Sequence, residues 1–560
     1  MYCHLVKTFP DLSLNVDFTI EKGCLAILGT PGCGKTAILD LLADPAGASA
    51  GESSEIIPAP ESIYYDCSLL PCEEKLRRVM SRCMAEKPGL LLLDEPFYSP
   101  AHPLSPEMRE AFLKFLHSFP GVTVFTARDS YEAWYFSDQV LVIDQGRVIK
   151  RGETWCTRLE DPFTQDSPFP AKIPFLYADS SATSLYRPPS VSRAVMQAMF
   201  CAGNNGRGVN DASLAASRSV FSCRSLLASL FDAASPEQVV FTANATEALN
   251  IAIKGLLGPD CHVITTCLEH NSVLRPLYEL EDSGMSLTVT ECTPEGGISL
   301  SALENSIRPD TRAIVCTHAS NVTGVVNDVR AIGALCEKYG LLLILDASQT
   351  AGIIPISMKL DHISALAFSG HKGLLGPQGT GGLCIAWGLR IRPLKSGGSG
   401  SHSFSRSHPS CLPEALEAGT LNAHGIAGIA AGVSFLRSVG LSAVCRREQA
   451  LIRQLYERLV SVPSLCFYGC PSLRMHLPTL SFNIGSLPSA IAADELSSRF
   501  HIAVRPGIHC APLVHRYYHT QEQGMIRVSL SFFNTEEEVD RLADAIAELA
   551  EETSLQISDL

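Results

Sequence analysis

The chain has 560 residues, 46% of them hydrophobic and 18% charged, with a net charge of −14. That length exceeds a single hydrophobic core and predicts roughly two to four ordinary globular domains. The acidic balance, with no basic stripe to neutralise phosphates, excludes a nucleic-acid binder, and no apolar run reaches the roughly 18–20 residues that span a bilayer. Twenty cysteines are scattered rather than spaced as a disulfide framework, and the stretch after Met1 is mixed and polar rather than a secretory leader. The expectation is a cytoplasmic protein with reduced thiols.

In chain order, residues 24–28, 90–93, 122–125 and 139–143 read as strands alternating with helical stretches. That alternation predicts an α/β unit with a largely parallel sheet. Within it, Gly29-Thr30-Pro31-Gly32-Cys33-Gly34-Lys35-Thr36 fits a phosphate loop, led in by the strand at 24–28 and followed by a helix over 37–42. Gly29, Gly32 and Gly34 let backbone amides approach phosphates, Lys35 reaches the outer phosphates and Thr36 holds Mg²⁺. The run Leu90-Leu91-Leu92-Leu93-Asp94-Glu95-Pro96 is a buried strand ending in two carboxylates. Asp94 suits Mg²⁺ and Glu95 a water-activating base.

These motifs, with Ser137-Asp138-Gln139-Val140 and Asp144-Gln145-Gly146-Arg147-Val148, resemble ATP-binding-cassette ATPases of the molybdate and anion-importer branch. The departures are marked. Lys35 and Asp94 stand about half as far apart as in the family, no LSGGQ signature precedes Asp94, Asp66 stands at the Q-loop position and Arg128 at the switch histidine. The lookalike Ser396-Gly397-Gly398-Ser399-Gly400 belongs to the other half. The resemblance implies a truncated P-loop NTPase-like domain over residues 1–160. It would bind ATP with Mg²⁺ and lack the helical subdomain that meets a membrane partner.

Pro162, Pro168, Pro170 and Pro174 mark residues 161–174 as a linker. From 175 to 560 a second α/β pattern runs. Strands are expected at 239–241, 262–265, 313–316, 342–345 and 365–368, and helices at 245–257, 329–339, 446–460 and 536–551. The apolar run 425–436 is expected to be a buried helix. Phe368-Ser369-Gly370-His371-Lys372-Gly373 ends a strand in a lysine able to form a Schiff base if its pKa is lowered. Asp346 ends the neighbouring buried strand, with Gln349 beyond it, and can keep a pyridine nitrogen protonated. Ala245-Thr246-Glu247 opens a helix, an anion site suited to phosphate. In Glu269-His270-Asn271, His270 offers an imidazole to stack on a ring.

The order of these pieces resembles the class-V aminotransferase family, and within it the SufS-like group II cysteine desulfurases. Tyr177-Ala178-Asp179-Ser180-Ser181-Ala182-Thr183 is similar to the family's opening motif, except that Ser180 replaces its usual asparagine. Thr317-His318-Ala319-Ser320-Asn321-Val322-Thr323-Gly324, Glu417-Ala418-Gly419-Thr420-Leu421-Asn422 and the Gly397-Gly398-Ser399-Gly400-Ser401 loop continue the match. Arg505-Pro506-Gly507-Ile508-His509-Cys510-Ala511-Pro512 resembles the family's R-x-G-x-H-C-A run.

The resemblance implies a pyridoxal-phosphate-dependent transferase of fold type I, with a large α/β domain and a small α+β domain. Lys372 would hold the cofactor, Asp346 pair with the ring nitrogen and His270 stack on the ring. Asn321 and Gln349 would face the ring hydroxyl. Thr246, Ser369 and His371 would bind phosphate, and Thr420 would cross to the phosphate of a homodimer partner. Arg527, with Arg505, would hold the carboxylate of L-cysteine. Cys510 would take the sulfur as a persulfide for a protein acceptor, aided by positive charge from His509 or Arg505. Three alternatives stay open: a selenocysteine lyase, a nucleotide-regulated binding module with a vestigial enzyme, and a transport ATPase subunit.

Overall fold

A computed structural model describes residues 1–558 apart from 10–11, 21, 30–31, 45–54, 58–61, 67–71, 98–107, 109–110, 113–114, 117, 128–132, 134–135, 154–174, 206–207, 209, 401–403 and 470–474. The expected linker and Arg128 lie outside the described residues. The chain divides into two compact units, Met1–Ile173 and Pro174–Leu560.

In the first unit the strands are β1 (Tyr2–Phe9), β2 (Leu12–Thr19), β3 (Gly23–Leu28), β4 (Glu55–Ile57), β5 (Ser62–Asp66), β6 (Leu90–Asp94), β7 (Val122–Ala127), β8 (Gln139–Asp144) and β9 (Arg147–Glu153). They form one sheet in the order β4-β1-β2-β9-β8-β3-β7-β6-β5. The run β8-β3-β7-β6-β5 is parallel, and β3, β6 and β7 carry the near-continuous apolar sequences of strands covered on both faces. The β1–β2 hairpin is antiparallel. Leu14, Val16 and Phe18 alternate inward along β2, the period-two pattern of a half-buried strand. Helices Lys35–Ala43 and Cys72–Glu86 connect within this unit.

The second unit holds a seven-stranded sheet built from β11 (Val239–Thr242), β12 (His262–Thr266), β13 (Ser286–Thr290), β14 (Thr311–Thr317), β15 (Leu342–Asp346), β16 (Ala365–Ser369) and β17 (Gly381–Ile385), numbered after the short β10 (Leu176–Tyr177). Its order is β11-β17-β16-β15-β14-β12-β13. Only β17 runs against its neighbours, so the other six strands share one direction. Apolar clusters pack on the sheet. One includes Leu343, Leu345 and Phe368 with Ile429, Val433 and Leu436 of the helix Ala423–Val439; another includes Val315, Ile344 and Ala367 with Leu249 and Ile253. The run 425–436 is therefore a core helix. Among the described residues no single helix is long and apolar enough to cross a membrane.

A smaller antiparallel sheet follows, from β18 (Leu465–Tyr468), β19 (Thr479–Ile484), β21 (Arg505–Gly507) and β22 (Met525–Ser529) in the order β18-β19-β22-β21. The short β20 (Ile502–Ala503) pairs instead with β10. Helices Leu441–Leu459, Ser489–Phe500 and Glu536–Ser558 contribute apolar residues to the core of this part.

Candidate functional site

In an open parallel sheet, ligands bind beyond the carboxyl ends of the strands. The candidate residues of the second unit occur there in sequence. Ala245 follows β11, His270 follows β12, Asn321 follows β14, Asp346 ends β15, and Ser369 ends β16 just before Lys372. Buried apolar sequence fixes each strand, so the polar residues at its end are placed by the packing below them.

Lys372 is half-buried. Burial pulls its pKa down to about 8, against the attraction of Asp346 and with the repulsion of Arg527 and Arg505. Asp346 is buried; its Oδ1 accepts hydrogen bonds from the Ser348 amide and hydroxyl. His270 caps the helix Asn271–Asp282, and its Nδ1 accepts from the Ser272 amide at 3.0 Å. A neutral ring that accepts at Nδ1 carries its proton on Nε2. Burial keeps the ring neutral by lowering its pKa. The Ser272 hydroxyl lies 2.9 Å from His270 Nδ1, and the Thr246 hydroxyl lies 2.8 Å from Ser272 Oγ. Ser272 therefore links His270 to the helix start at Ala245, a role the sequence reading missed. Its position two residues after a histidine cap was the available signal.

The helix Ala245–Leu256 is capped by Asn244, whose side chain accepts from the Glu247 amide. Helix-start amides have no intrahelical acceptor and suit a phosphate. A Cβ at Gly381 would come within 2.6 Å of the Asn244 backbone, so only glycine lets β17 approach this turn. His371 Nδ1 lies 3.0 Å from Thr183 Oγ1, and burial holds its pKa down at about 4. Gln349 Nε2 donates to Ser181 O at 3.2 Å.

Arg527 is 2% exposed. Its Nη2 donates to Asp179 Oδ1 at 2.7 Å and its Nη1 to Asn321 O at 3.1 Å, while Nε is buried without a partner. The guanidinium expected to grip a substrate carboxylate is thus already engaged by Asp179. Asn321 Nδ2 donates to His509 O at 2.8 Å, and the Asn271 amide to Cys510 O at 2.7 Å. These bonds tie the turns after β12 and β14 to the cysteine loop. His509 (φ 53°) and Cys510 (φ 57°) both lie in the left-handed region, a strained arrangement for consecutive non-glycine residues. Cys510 is exposed. The expected positive charge from His509 or Arg505 narrows here to Arg505. Burial, reinforced by Arg527, pushes the His509 pKa down to about 3, so His509 is neutral and lends Cys510 no positive charge.

A cavity of about 30 Å³ is lined by Lys372, Gln349, Ser181 and Glu448. Glu448 Oε1 accepts from the Phe532 amide at 2.9 Å, and Oε2 is buried without a partner. Burial raises its pKa from 4.5 to about 8. The folded state therefore takes up a proton that the unfolded chain releases above about 4.5. Stability from this group is complete below that pH and is lost as pH rises toward 8. Glu448→Gln keeps the shape without the titration. Its melting temperature relative to the parent is expected to increase steadily from about pH 5 to about pH 8. Calorimetry of both proteins across that range checks this, and a pH-independent difference would contradict it.

In the first unit, Lys35 Nζ donates to Gly29 O at 2.6 Å, and Thr36 Oγ1 donates to Asp94 Oδ2 at 2.9 Å. Thr126, which the sequence reading did not single out, donates to Asp94 Oδ1 at 2.5 Å and accepts from the Glu95 amide at 2.8 Å. Gly34, at φ 107°, is the residue preceding the helix Lys35–Ala43. Thus Lys35 meets Gly29 and Thr36 meets Asp94, Thr126 joins Asp94 to Glu95, and Gly32 is exposed.

Fold and site in the second unit together define a pyridoxal-phosphate-dependent transferase. The donor set fits the group: a lysine made nucleophilic by burial, a buried carboxylate at the neighbouring strand end, a neutral imidazole and a helix start for the phosphate. The class-V aminotransferase profile matches residues 176–542. A probable cysteine desulfurase of Methanothermobacter thermautotrophicus is 30% identical over 381 residues, 67% of this chain and 94% of that protein. The cysteine desulfurase of Klebsiella pneumoniae is 33% identical over 383 residues, 66% of this chain and 92% of that one. The apo structure of the cysteine desulfurase from Thermococcus onnurineus NA1 superposes with a TM-score of 0.64 at 32% identity, covering 68% of this chain and 95% of that one. The chain belongs to the class-V aminotransferase family and, within it, to the cysteine desulfurases.

Proposed function

We propose that residues 175–560 convert L-cysteine to L-alanine and leave the sulfur as a persulfide on Cys510, for delivery to a protein acceptor. The observation that carries this is the exposed Cys510, held by the Asn271 amide on the turn that also bears His270. Bound pyridoxal phosphate supplies the electron sink that labilises the substrate Cα–H bond. Lys372 would hold the cofactor and, as a free amine, take the Cα proton; its lowered pKa leaves it able to do so. Asp346 sits to keep a ring nitrogen protonated, His270 to stack, and Ala245, Thr246, Ser369 and His371 to bind phosphate. Asn321 and Gln349 would face the ring hydroxyl. Arg527, with Arg505, holds the substrate carboxylate. The Cys510 thiolate would attack the substrate sulfur to form the S–S bond, the Cβ–S bond would break with its electron pair passing to the carbon side, and protonation at Cβ and Cα would release alanine.

The test is the full-length protein with L-cysteine and, separately, L-selenocysteine, with alanine quantified. Alanine from cysteine, matched by sulfide when a reductant is present, is the expected result. Alanine from selenocysteine alone would replace this reading with a selenocysteine lyase.

The active assembly in this reading is a cytoplasmic homodimer. Thr420 is exposed beside Ala243 and Glu247, in a cleft of about 180 Å³ at the start of the helix Ala245–Leu256. That is a place from which it could serve a partner's phosphate site.

Residues 1–160 are read as a truncated ATP-binding-cassette-type domain, joined through a linker at 161–174. The contact of Lys35 with Gly29, and of Thr36 with Asp94, supports nucleotide binding with Mg²⁺. Cassette ATPases complete each site with a signature loop, and this sequence has none before Asp94. Catalysis by positioned charge needs a closed set of donors, so the role proposed is regulatory. The full chain is expected to bind ATP and hydrolyse it slowly at best. Steady-state hydrolysis beside Lys35→Ala measures this, and robust turnover lost in the variant would overturn the regulatory role.

A further inference from the structure

Two thiols that the sulfur chemistry leaves unused lie together below the Cys510 loop. Cys267 directly follows β12, and Cys292 lies just past β13. The Cys267 amide donates to Thr290 O at 2.9 Å, extending the ladder beyond the strand, and the Cys292 amide donates to Cys267 Sγ at 3.1 Å. That bond sets the Cys267 sulfur against the Cys292 backbone, and both side chains pack in one cluster with Tyr517 at its edge. At 6% and 7% exposure they are buried, yet the half-buried Tyr517 is in contact with them. Leu268, Ala511 and Val514 belong to the same packed cluster. The pair therefore adjoins both the turn carrying His270 and the residue after Cys510.

The two sulfurs are not equivalent. Burial pushes the thiols of Cys223 and Cys384 up to about 12. Cys267 moves the other way, lowered by its interaction with Cys292, whose amide donates to its sulfur, and Cys292 is raised. The amide donor held on the Cys267 sulfur favours its thiolate. A nucleophilic thiolate with a resolving thiol in contact is the arrangement that disulfide formation requires. With the Cys267 sulfur already 3.1 Å from the Cys292 amide, only a short side-chain motion is needed to reach an S–S length of about 2.0 Å.

The geometry points to a redox modification site: a peroxide closes a disulfide between Cys267 and Cys292. The Cys267 thiolate attacks one peroxide oxygen, the O–O bond breaks, and the departing hydroxide takes a proton to leave as water. The resulting sulfenic acid is attacked by the Cys292 sulfur, the S–O bond breaks, and a second water leaves with the thiol proton. With hydrogen peroxide, two thiols lose two hydrogens and two electrons, and the peroxide becomes two waters. This inference stands independently of which amino acid the enzyme consumes.

The full-length holoenzyme is treated with hydrogen peroxide, then denatured in N-ethylmaleimide, digested and mapped by mass spectrometry. The expected product is one linked species containing the Cys267 and Cys292 peptides. It should be lighter than their sum by two hydrogens, form in most molecules and disappear with dithiothreitol. Recovery of the two peptides separately overturns the proposal, whether maleimide-labelled, over-oxidised or linked to other cysteines. In Cys292→Ser the sulfenic acid on Cys267 has no resolving thiol. Dimedone should then label Cys267, and a dimedone adduct absent from that peptide overturns its assignment as the attacking sulfur.

Discussion

Cys510→Ser lowers alanine release from L-cysteine by about a thousandfold or more and leaves the yellow colour of lysine-bound pyridoxal phosphate unchanged. The two halves of this expectation have separate physical grounds. Sulfur transfer needs a polarizable thiolate to attack sulfur, and an alkoxide is not available from serine at neutral pH. The cofactor pocket, by contrast, is built at the strand ends from Lys372, Asp346 and His270, none of which depends on the Cys510 side chain. The loop itself should keep its shape. Its left-handed residues are held through backbone oxygens, His509 O by Asn321 and Cys510 O by the Asn271 amide, and serine is nearly isosteric. Alanine quantification beside the visible spectrum of the purified variant checks both halves. Undiminished alanine release would mean that another sulfur, or none, acts as nucleophile.

Most of what positions this site was legible in the sequence because it rests on local patterns. Val239 to Phe241, Leu342 to Leu345 and Ala365 to Phe368 are short apolar runs ending in polar residues, and a parallel strand buried on both faces looks like that from composition alone. The helix Val329–Tyr339 has the expected bounds, because Asp328 caps its start and Gly340, at φ 65°, ends it in the left-handed conformation. Strands without such runs were missed. The edge strand β13 reads Ser-Leu-Thr-Val-Thr, and β17 opens on two glycines; glycine lowers strand propensity, so nothing local marked it. The hairpin β1–β2 was overlooked although the inward alternation of Leu14, Val16 and Phe18 was there to read.

What sequence could not supply were the partnerships made by tertiary folding. Asp179 and Arg527 meet across 348 residues, so the engaged state of the guanidinium depends on the fold. The neutrality of His509 depends on burial beside Arg527, and a histidine next to a nucleophile looks cationic only until its surroundings are known. Thr126 reaches Asp94 from a neighbouring parallel strand. Pairing register, rather than spacing along the chain, brings them together.

Lys372→Ala is expected to abolish alanine release, again by about a thousandfold or more, and to leave borohydride nothing to fix. In the parent protein, borohydride reduces the lysine–cofactor double bond, and the labelled peptide should contain residue 372. The argument turns on the amine's charge as well as its position. An ordinary lysine, at 10.5, offers about 0.1% free amine near pH 7.5. With burial holding Lys372 at about 8, roughly a quarter is neutral at that pH, some two hundred times more. A free amine can both bond to an aldehyde and accept a proton, whereas an ammonium can do neither. Lys372→Arg separates these roles from mere charge and bulk, because a guanidinium stays protonated throughout the accessible pH range. It should fail as completely as alanine does in turnover, while retaining more non-covalently bound cofactor in gel filtration. Turnover surviving in the arginine variant, or a borohydride-fixed label on any other lysine, would remove Lys372 from the chemistry.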